Sequence, residues 1–220
     1  GAGPEVVMSG LSEALVAIGL SPALDVYGTG INLFARLEPD RPPPAGDVEY
    51  VVLGAHFDSV SKSPGANDNG TGVAAVLATA RWVTDLTCPS RGFIVAFFDE
   101  EEVGLIGSHY FASRLLDDGV AVDAVHTIDQ MGWDEDDDRM IELEKPDGDL
   151  FELYDQVDTE AGLDIPLAQT LTASTDHESF RERGFLAVGL TEGYVSGDTT
   201  PHYHLPSDAY ATVDFAYLAS

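Results

Sequence analysis

The runs Tyr50-Val51-Val52-Leu53 and Phe93-Ile94-Val95-Ala96-Phe97-Phe98 are apolar at every position, and each leads into groups that hold protons or metals. A strand with one wet face alternates apolar and polar residues, whereas an unbroken apolar run is covered on both faces. Strands of that kind belong to a largely parallel sheet with helices packed on both sides. Helical stretches fit between them. Strands are expected over 31–37, 50–55, 93–98, 120–128 and 186–190. Helices are expected over 6–20, 71–86, 105–116 and 149–161, with a terminal helix from Thr212 onward. In the first helix Val7, Leu11, Leu15, Ile18 and Gly19 share one face. The fold class is therefore α/β, and residues 1–220 read as a single domain with no internal repeat and no linker. The stretch Arg41-Pro42-Pro43-Pro44-Ala45-Gly46 reads as a loop.

Ligands in open parallel sheets gather beyond the carboxyl ends of the strands. His56, Glu101, Glu102 and Asp129 all fall there. With Asp68 and His204 the chain offers two histidines and three carboxylates beside Glu101. That is the donor set for a pair of zinc ions with one carboxylate shared, and Glu101 is left over as the kind of group that acts as a base. Asp58 stands two residues after His56, close enough to hold the ring nitrogen that a metal does not use. Taken singly, these residues have plainer readings. Asp68, among Gly65, Gly70 and Gly72, suits a turn or a helix cap. Glu100, Glu101 and Glu102 suit an exposed loop. Burying three acids in a row needs a counter-charge, however, and a chain with only Lys62 and Lys145 as lysines has little to offer but a metal.

The formal net charge of −29 excludes nucleic acid and anionic membranes as partners. Apolar content of 44% is ordinary, so this is no disordered acidic tail. The combination resembles proteins of salt-loving organisms, in which ionic strength screens self-repulsion. No apolar run is long enough to span a membrane. The start, Gly1-Ala2-Gly3-Pro4-Glu5, lacks the basic and apolar segments of a secretory signal. Cys88 has no second cysteine to pair with and reads as a small loop residue. The acidic run 134–138 lacks the glycine and ligand spacing of a calcium loop and reads as solvated. His109 is expected at the surface or in packing, His126 as a hydrogen-bonded core residue, and Trp82 in the core.

The segment Glu101-Glu102-Val103-Gly104-Leu105-Ile106-Gly107-Ser108 resembles the signature of the two-zinc aminopeptidases of metallopeptidase family twenty-eight. So do Gly54-Ala55-His56-Phe57-Asp58-Ser59, the stretch from Gly65 to Gly72, Asp129-Gln130-Met131-Gly132, Thr175-Asp176-His177-Glu178-Ser179-Phe180 and Tyr203-His204. Six motifs in the family's order make the likeness specific, and it runs from about Asn32 to Asp208. It implies a three-layer sandwich of the zinc-aminopeptidase, phosphorylase-like type, two Zn2+ per chain and peptide or aminoacyl substrates. Asp68 would bridge the ions, His56 and Asp129 completing one and Glu102 and His204 the other. Glu101 would be the general base toward a metal-bridging water, Asp58 would orient His56, and Tyr203 would stabilise the oxyanion. Thr175, Asp176 and His177, where the family usually has Ser-Asp-His, would belong to the substrate site.

Three other readings share the architecture. A glutaminyl cyclase-like enzyme would use a single zinc. A two-metal carboxypeptidase or deacylase would carry a lid domain for which 220 residues leave no room. A non-catalytic peptide-binding domain would have lost ligands that this chain retains.

Overall fold

Tyr50–His56 and Gly92–Phe98 run side by side in the middle of one sheet, and almost every residue in them is buried. The computed structural model describes residues 3–41, 44, 46–86 and 90–220. Along the chain come α1 (Pro4–Ala17), β1 (Pro22–Val26), β2 (Ile31–Leu37), β3 (Tyr50–His56), α2 (Gly70–Thr84), β4 (Gly92–Phe98), α3 (Ile106–Asp117), β5 (Val122–Ile128), β6 (Ile141–Glu144), α4 (Leu150–Ala161), β7 (Leu167–Thr170), α5 (His177–Arg181), β8 (Ala187–Thr191) and α6 (Phe215–Leu218). The eight strands form one mixed sheet in the order β1-β2-β4-β3-β5-β8-β6-β7. Its centre, β4-β3-β5-β8, is parallel throughout, with His56 opposite Phe98 and Thr127 opposite Gly189. Antiparallel pairs bring in β1, β2 and β6 toward the edges.

Alternation along the strands builds two cores. Leu53, Ala55, Val95 and Phe97 point to one face, where they meet Leu11 and Leu15 of α1, Val76 and Ala80 of α2 and Leu150 of α4. Val52, Ile94, Ala96 and Phe98 point to the other and meet Phe111, Ala112 and Leu115 of α3 and Phe180 of α5. Helices thus cover both faces, as unbroken apolar strands require.

Several expectations shift. Trp82 is not in the core: Val76, Ala80 and Val83 form the buried stripe of α2, and Trp82 lies off it, 62% exposed. The terminal helix is reduced to four residues after a 3-10 turn at Tyr210–Thr212. Strands β1, β6 and β7 and helix α5 were not anticipated. His126 is hydrogen-bonded as expected, its Nδ1 2.9 Å from the Tyr154 hydroxyl, but it is half-buried rather than in the core, and desolvation pushes it down to about 4. His109 is partly exposed, its Nδ1 2.8 Å from Arg183. The acidic run forms an exposed loop, with the carboxylate of Asp134 accepting the amides of Asp138 and Arg139. The expectation for Cys88 falls outside the described residues, as does half of that for the proline-rich loop.

Candidate metal centre

Three neighbouring parallel strands deliver acidic or imidazole groups to one edge of the sheet. His56 ends β3, the segment Asp99 to Glu102 follows β4, and Asp129 follows β5. Asp68 comes from the turn before α2. There Asn69 caps the helix by accepting the Gly72 amide at 3.0 Å, while its own amide group donates to the Ile128 carbonyl at 2.8 Å. The cap therefore ties the start of α2 to the end of β5. A turn near the C-terminal end of the chain brings in His204.

These five side chains converge as two trios that share Asp68. His56 Nε2 lies 3.4 Å from Asp68 Oδ1 and 3.4 Å from Asp129 Oδ1. His204 Nε2 lies 3.1 Å from Asp68 Oδ2 and 3.0 Å from Glu102 Oε2. In each trio the three potential ligand atoms all lie within 4.8 Å of one another. His56 Nε2 and Asp129 Oδ1 are buried, and among the described residues neither has a hydrogen-bond partner. Leaving two such atoms unpaired is costly unless a cation completes them, and an all-imidazole, all-carboxylate donor set suits zinc. The residues present therefore fit a pair of divalent ions, one oxygen of Asp68 facing each histidine.

A further layer fixes these groups. His56 Nδ1 sits 3.2 Å from the main-chain oxygen of Asp58 and 3.4 Å from its carboxylate. A proton on Nδ1 leaves the Nε2 lone pair pointing at the trio. The two carboxylate oxygens of Asp58 also accept the amides of Glu101, at 3.0 Å, and Glu102, at 3.2 Å. One side chain thus positions a ligand ring and the turn that carries two acids. Asp208 accepts the amides of Asn67, at 2.8 Å, and Asp68, at 3.2 Å. Glu192, fully buried, accepts from the Asn67 side chain and from the amides of Gly132 and Thr200. Asp208 and Glu192 had no assigned role in the sequence. Glu192 follows an apolar strand just as Glu101 and Asp129 do, and that placement is the signal that would have found it.

Without a cation the acids here resist ionisation. Burial pushes Glu101 up to about 9, with Asp176, Asp129 and Glu102 adding to the effect. Burial and the neighbouring Asp68 push Glu102 up to about 7, and burial raises Asp129 as well. Burial disfavours the charged form of His56, but the carboxylates of Asp129, Asp58 and Asp68 outweigh it and hold the ring well above its ordinary value. Among the described residues no Lys or Arg pairs with Glu101 or Glu102. A divalent ion would invert this local balance by favouring the carboxylate forms.

The trios open into a cavity of about 420 Å³. Glu101, Glu102, Asp129, Tyr203 and Thr175 all line it. The Tyr203 ring stacks on His204 with centroids 3.8 Å apart, and burial raises its phenol, so the hydroxyl remains a donor. Of the trio Thr175, Asp176 and His177, only Thr175 reaches the cavity. Asp176 and His177 are buried behind it, and burial pushes Asp176 up to about 7. Thr175 Oγ1 lies 2.7 Å from His177 Nδ1 and donates to Glu144 Oε2 at 2.6 Å. Glu144, from the unanticipated strand β6, is a further wall of the cavity.

Residues 32–219 match the model of Peptidase family M28. Aminopeptidase YwaD of Bacillus subtilis is 31% identical over 168 residues, which are 74% of this chain and 36% of that protein. Leupeptin-inactivating enzyme 1 of Streptomyces exfoliatus is 31% identical over 194 residues, 81% of this chain and 40% of that one. The chain thus spans less than half the length of these curated relatives. Among solved structures, a zinc aminopeptidase from Bacillus subtilis superposes with a TM-score of 0.76 at 25% identity, covering 86% of this chain and 47% of that one. A glutaminyl cyclase from Porphyromonas gingivalis superposes at 0.80 with 18% identity, covering 99% of this chain and 86% of that one; this is a likeness of fold.

Proposed function

The chain belongs to peptidase family M28, and we propose that it is an aminopeptidase that loads two zinc ions and hydrolyses the peptide bond next to a free amino terminus. The observation that carries this reading is the sharing of Asp68 between two trios, one oxygen toward His56 and the other toward His204. In this reading His56, Asp68 and Asp129 hold one ion, and Asp68, Glu102 and His204 hold the other. Bound zinc supplies Lewis acidity, which acidifies water and polarises a carbonyl.

The chain's own residues handle the protons. Glu101 lines the cavity beside both trios and carries none of the ligand contacts, which leaves it free to accept a proton from the attacking water. As the water oxygen bonds to the scissile carbon, Tyr203 donates its hydroxyl to the oxygen that gains charge. Glu101 then returns the proton to the amide nitrogen as the C–N bond breaks. Asp58 keeps His56 in one tautomer and holds the Glu101–Glu102 turn still. Thr175 contributes to the substrate wall, with Asp176 and His177 supporting it from behind.

Two complete trios favour hydrolysis at a two-ion centre over cyclisation at a single zinc. They equally disfavour a binding domain stripped of its metals. Elemental analysis of the purified chain, paired with leucine 4-nitroanilide hydrolysis before and after chelation, tests the proposal. About two zinc ions per chain and a chelator-sensitive release of nitroaniline are expected. One ion with release of cyclised glutaminyl peptides would instead establish the cyclase, and a chain indifferent to zinc would overturn both.

A further inference from the structure

The cavity onto which the trios open has in its wall a buried acid that the peptidase chemistry does not use. Glu144 is 2% exposed and lines the cavity. Its Oε2 accepts the Thr175 hydroxyl at 2.6 Å, and among the described residues no donor meets Oε1. The side chain leans inward. A Cβ built on Gly189, its antiparallel partner on β8, would lie 2.5 Å from Glu144 Oε2. Glu144 therefore reaches over β8 toward β5, the strand that ends in Asp129, from roughly 10 Å away across the sheet. Thr172, Ser174 and Thr191 add hydroxyl-bearing side chains to the lining of the same cavity, and among the described residues no Lys or Arg lines it.

A pocket made to hold a leucine-like side chain has apolar walls. This one instead presents hydroxyl groups and an acid with a free oxygen. Burial pushes that acid up to about 7, and the nearby His177, whose Nδ1 stands 3.6 Å from Oε2, is held neutral by its own burial, so a cation arriving at Oε1 meets a carboxylate that no other cation compensates. We propose that Glu144 is the specificity determinant of the pocket for the substrate's first side chain, and that it selects lysine or arginine at the amino terminus. This rests on the aminopeptidase reading and goes further by naming the substrate class. A long aliphatic stem would span the distance from the metal trios, with its charged head at Oε1 and the hydroxyls of the lining.

Norleucine matches lysine in length without the charge, so the two 4-nitroanilides isolate the effect. The zinc-loaded wild-type chain is expected to show kcat/KM at least ~10-fold higher for lysine than for norleucine. Glu144→Gln, which still accepts from Thr175, is expected to erase that preference, bringing the lysine-to-norleucine ratio of kcat/KM to within about twofold of one. Glu144→Asp, which keeps the charge, retains a lysine preference. A wild-type chain that takes norleucine as well as lysine overturns the proposal without recourse to any variant, as does an unchanged ratio in Glu144→Gln. If the zinc-loaded wild type hydrolyses no anilide at all, the aminopeptidase reading is what fails. Calorimetry with L-lysinamide then decides the pocket. Binding that disappears in Glu144→Gln supports the cation site, and equal or absent binding in both proteins overturns it.

Discussion

Asp208 accepts the main-chain amide of Asp68 at 3.2 Å across 140 positions of sequence. With the amide of Asn67 at 2.8 Å it holds two successive main-chain amides, so the carboxylate shared by the two trios is aimed by a residue that is a member of neither. Groups that fix a ligand in this way commonly change metal affinity ~10- to 100-fold when removed. Asp208→Ala is expected to lower zinc affinity by that order, measured by competition with a chromogenic chelator. Affinity equal to wild type would show that Asp68 is held well enough by its own turn.

Glu101→Gln keeps the shape of the side chain and the amide bond to Asp58 but cannot take a proton. Loss of a well-placed general base costs ~100- to 10,000-fold. The variant is expected to bind as much zinc as wild type and to lose kcat by that factor with little change in KM. Near-normal turnover would move the role of base to another group.

The acids around the site set a pH dependence with a definite sign. Burial holds Glu101 at about 9 and Glu102, Glu144, Asp176 and Glu192 at about 7 in the metal-free fold, against ~4 in an unfolded chain. Over that window the folded chain binds more protons than the unfolded one, so its stability falls as pH rises. Zinc requires the carboxylates of Asp68, Glu102 and Asp129 ionised and the two histidines neutral, so its stabilisation grows as pH rises. With chelator the melting temperature should drop between about pH 5 and pH 8, and with zinc the drop should shrink or reverse. A chelated protein whose melting temperature rises over that interval would contradict this.

Salt should matter as well. A formal charge of −29 sets the surface against itself, and the screening length shortens from ~10 Å at 0.1 M to ~3 Å at 1 M. We expect the zinc-loaded protein to melt at a higher temperature in molar than in millimolar potassium chloride. Equal midpoints would remove any connection with a saline environment.

The centre of the fold was readable because its residues obey one rule: β3 and β4 are buried on both faces, β4 apolar throughout and β3 apolar up to its terminal His56. His56, Glu102 and Asp129 were readable for the same reason, since an acid or histidine after such a strand stands out, whereas Asp68 and His204 stand in turns and were legible only through the motifs around them. Strand β6 was hidden by its chemistry. Ile141-Glu142-Leu143-Glu144 alternates like a half-solvated strand or a polar loop, yet Glu142 and Glu144 are 1% and 2% exposed. Glu142 is stabilised by the amides of Val195 and Ser196, and Glu144 by Thr175. Those donors lie 31 to 54 positions away, where no local pattern reveals them. Trp82 shows the converse. Its size argued for burial, but the small and β-branched residues Val76, Ala80 and Val83 took the inner face of α2.

Asn69 is bound to α2 through Gly72 and to β5 through Ile128, so the carboxylates of Asp68 and Asp129 cannot drift independently. Glu144, Thr172 and Ser174, which line the same cavity, belong to other segments than the ones so clamped. On the aminopeptidase reading, selection could therefore retune which residue is cleaved while leaving the hydrolytic machinery undisturbed, and a protein engineer could exploit the same separation.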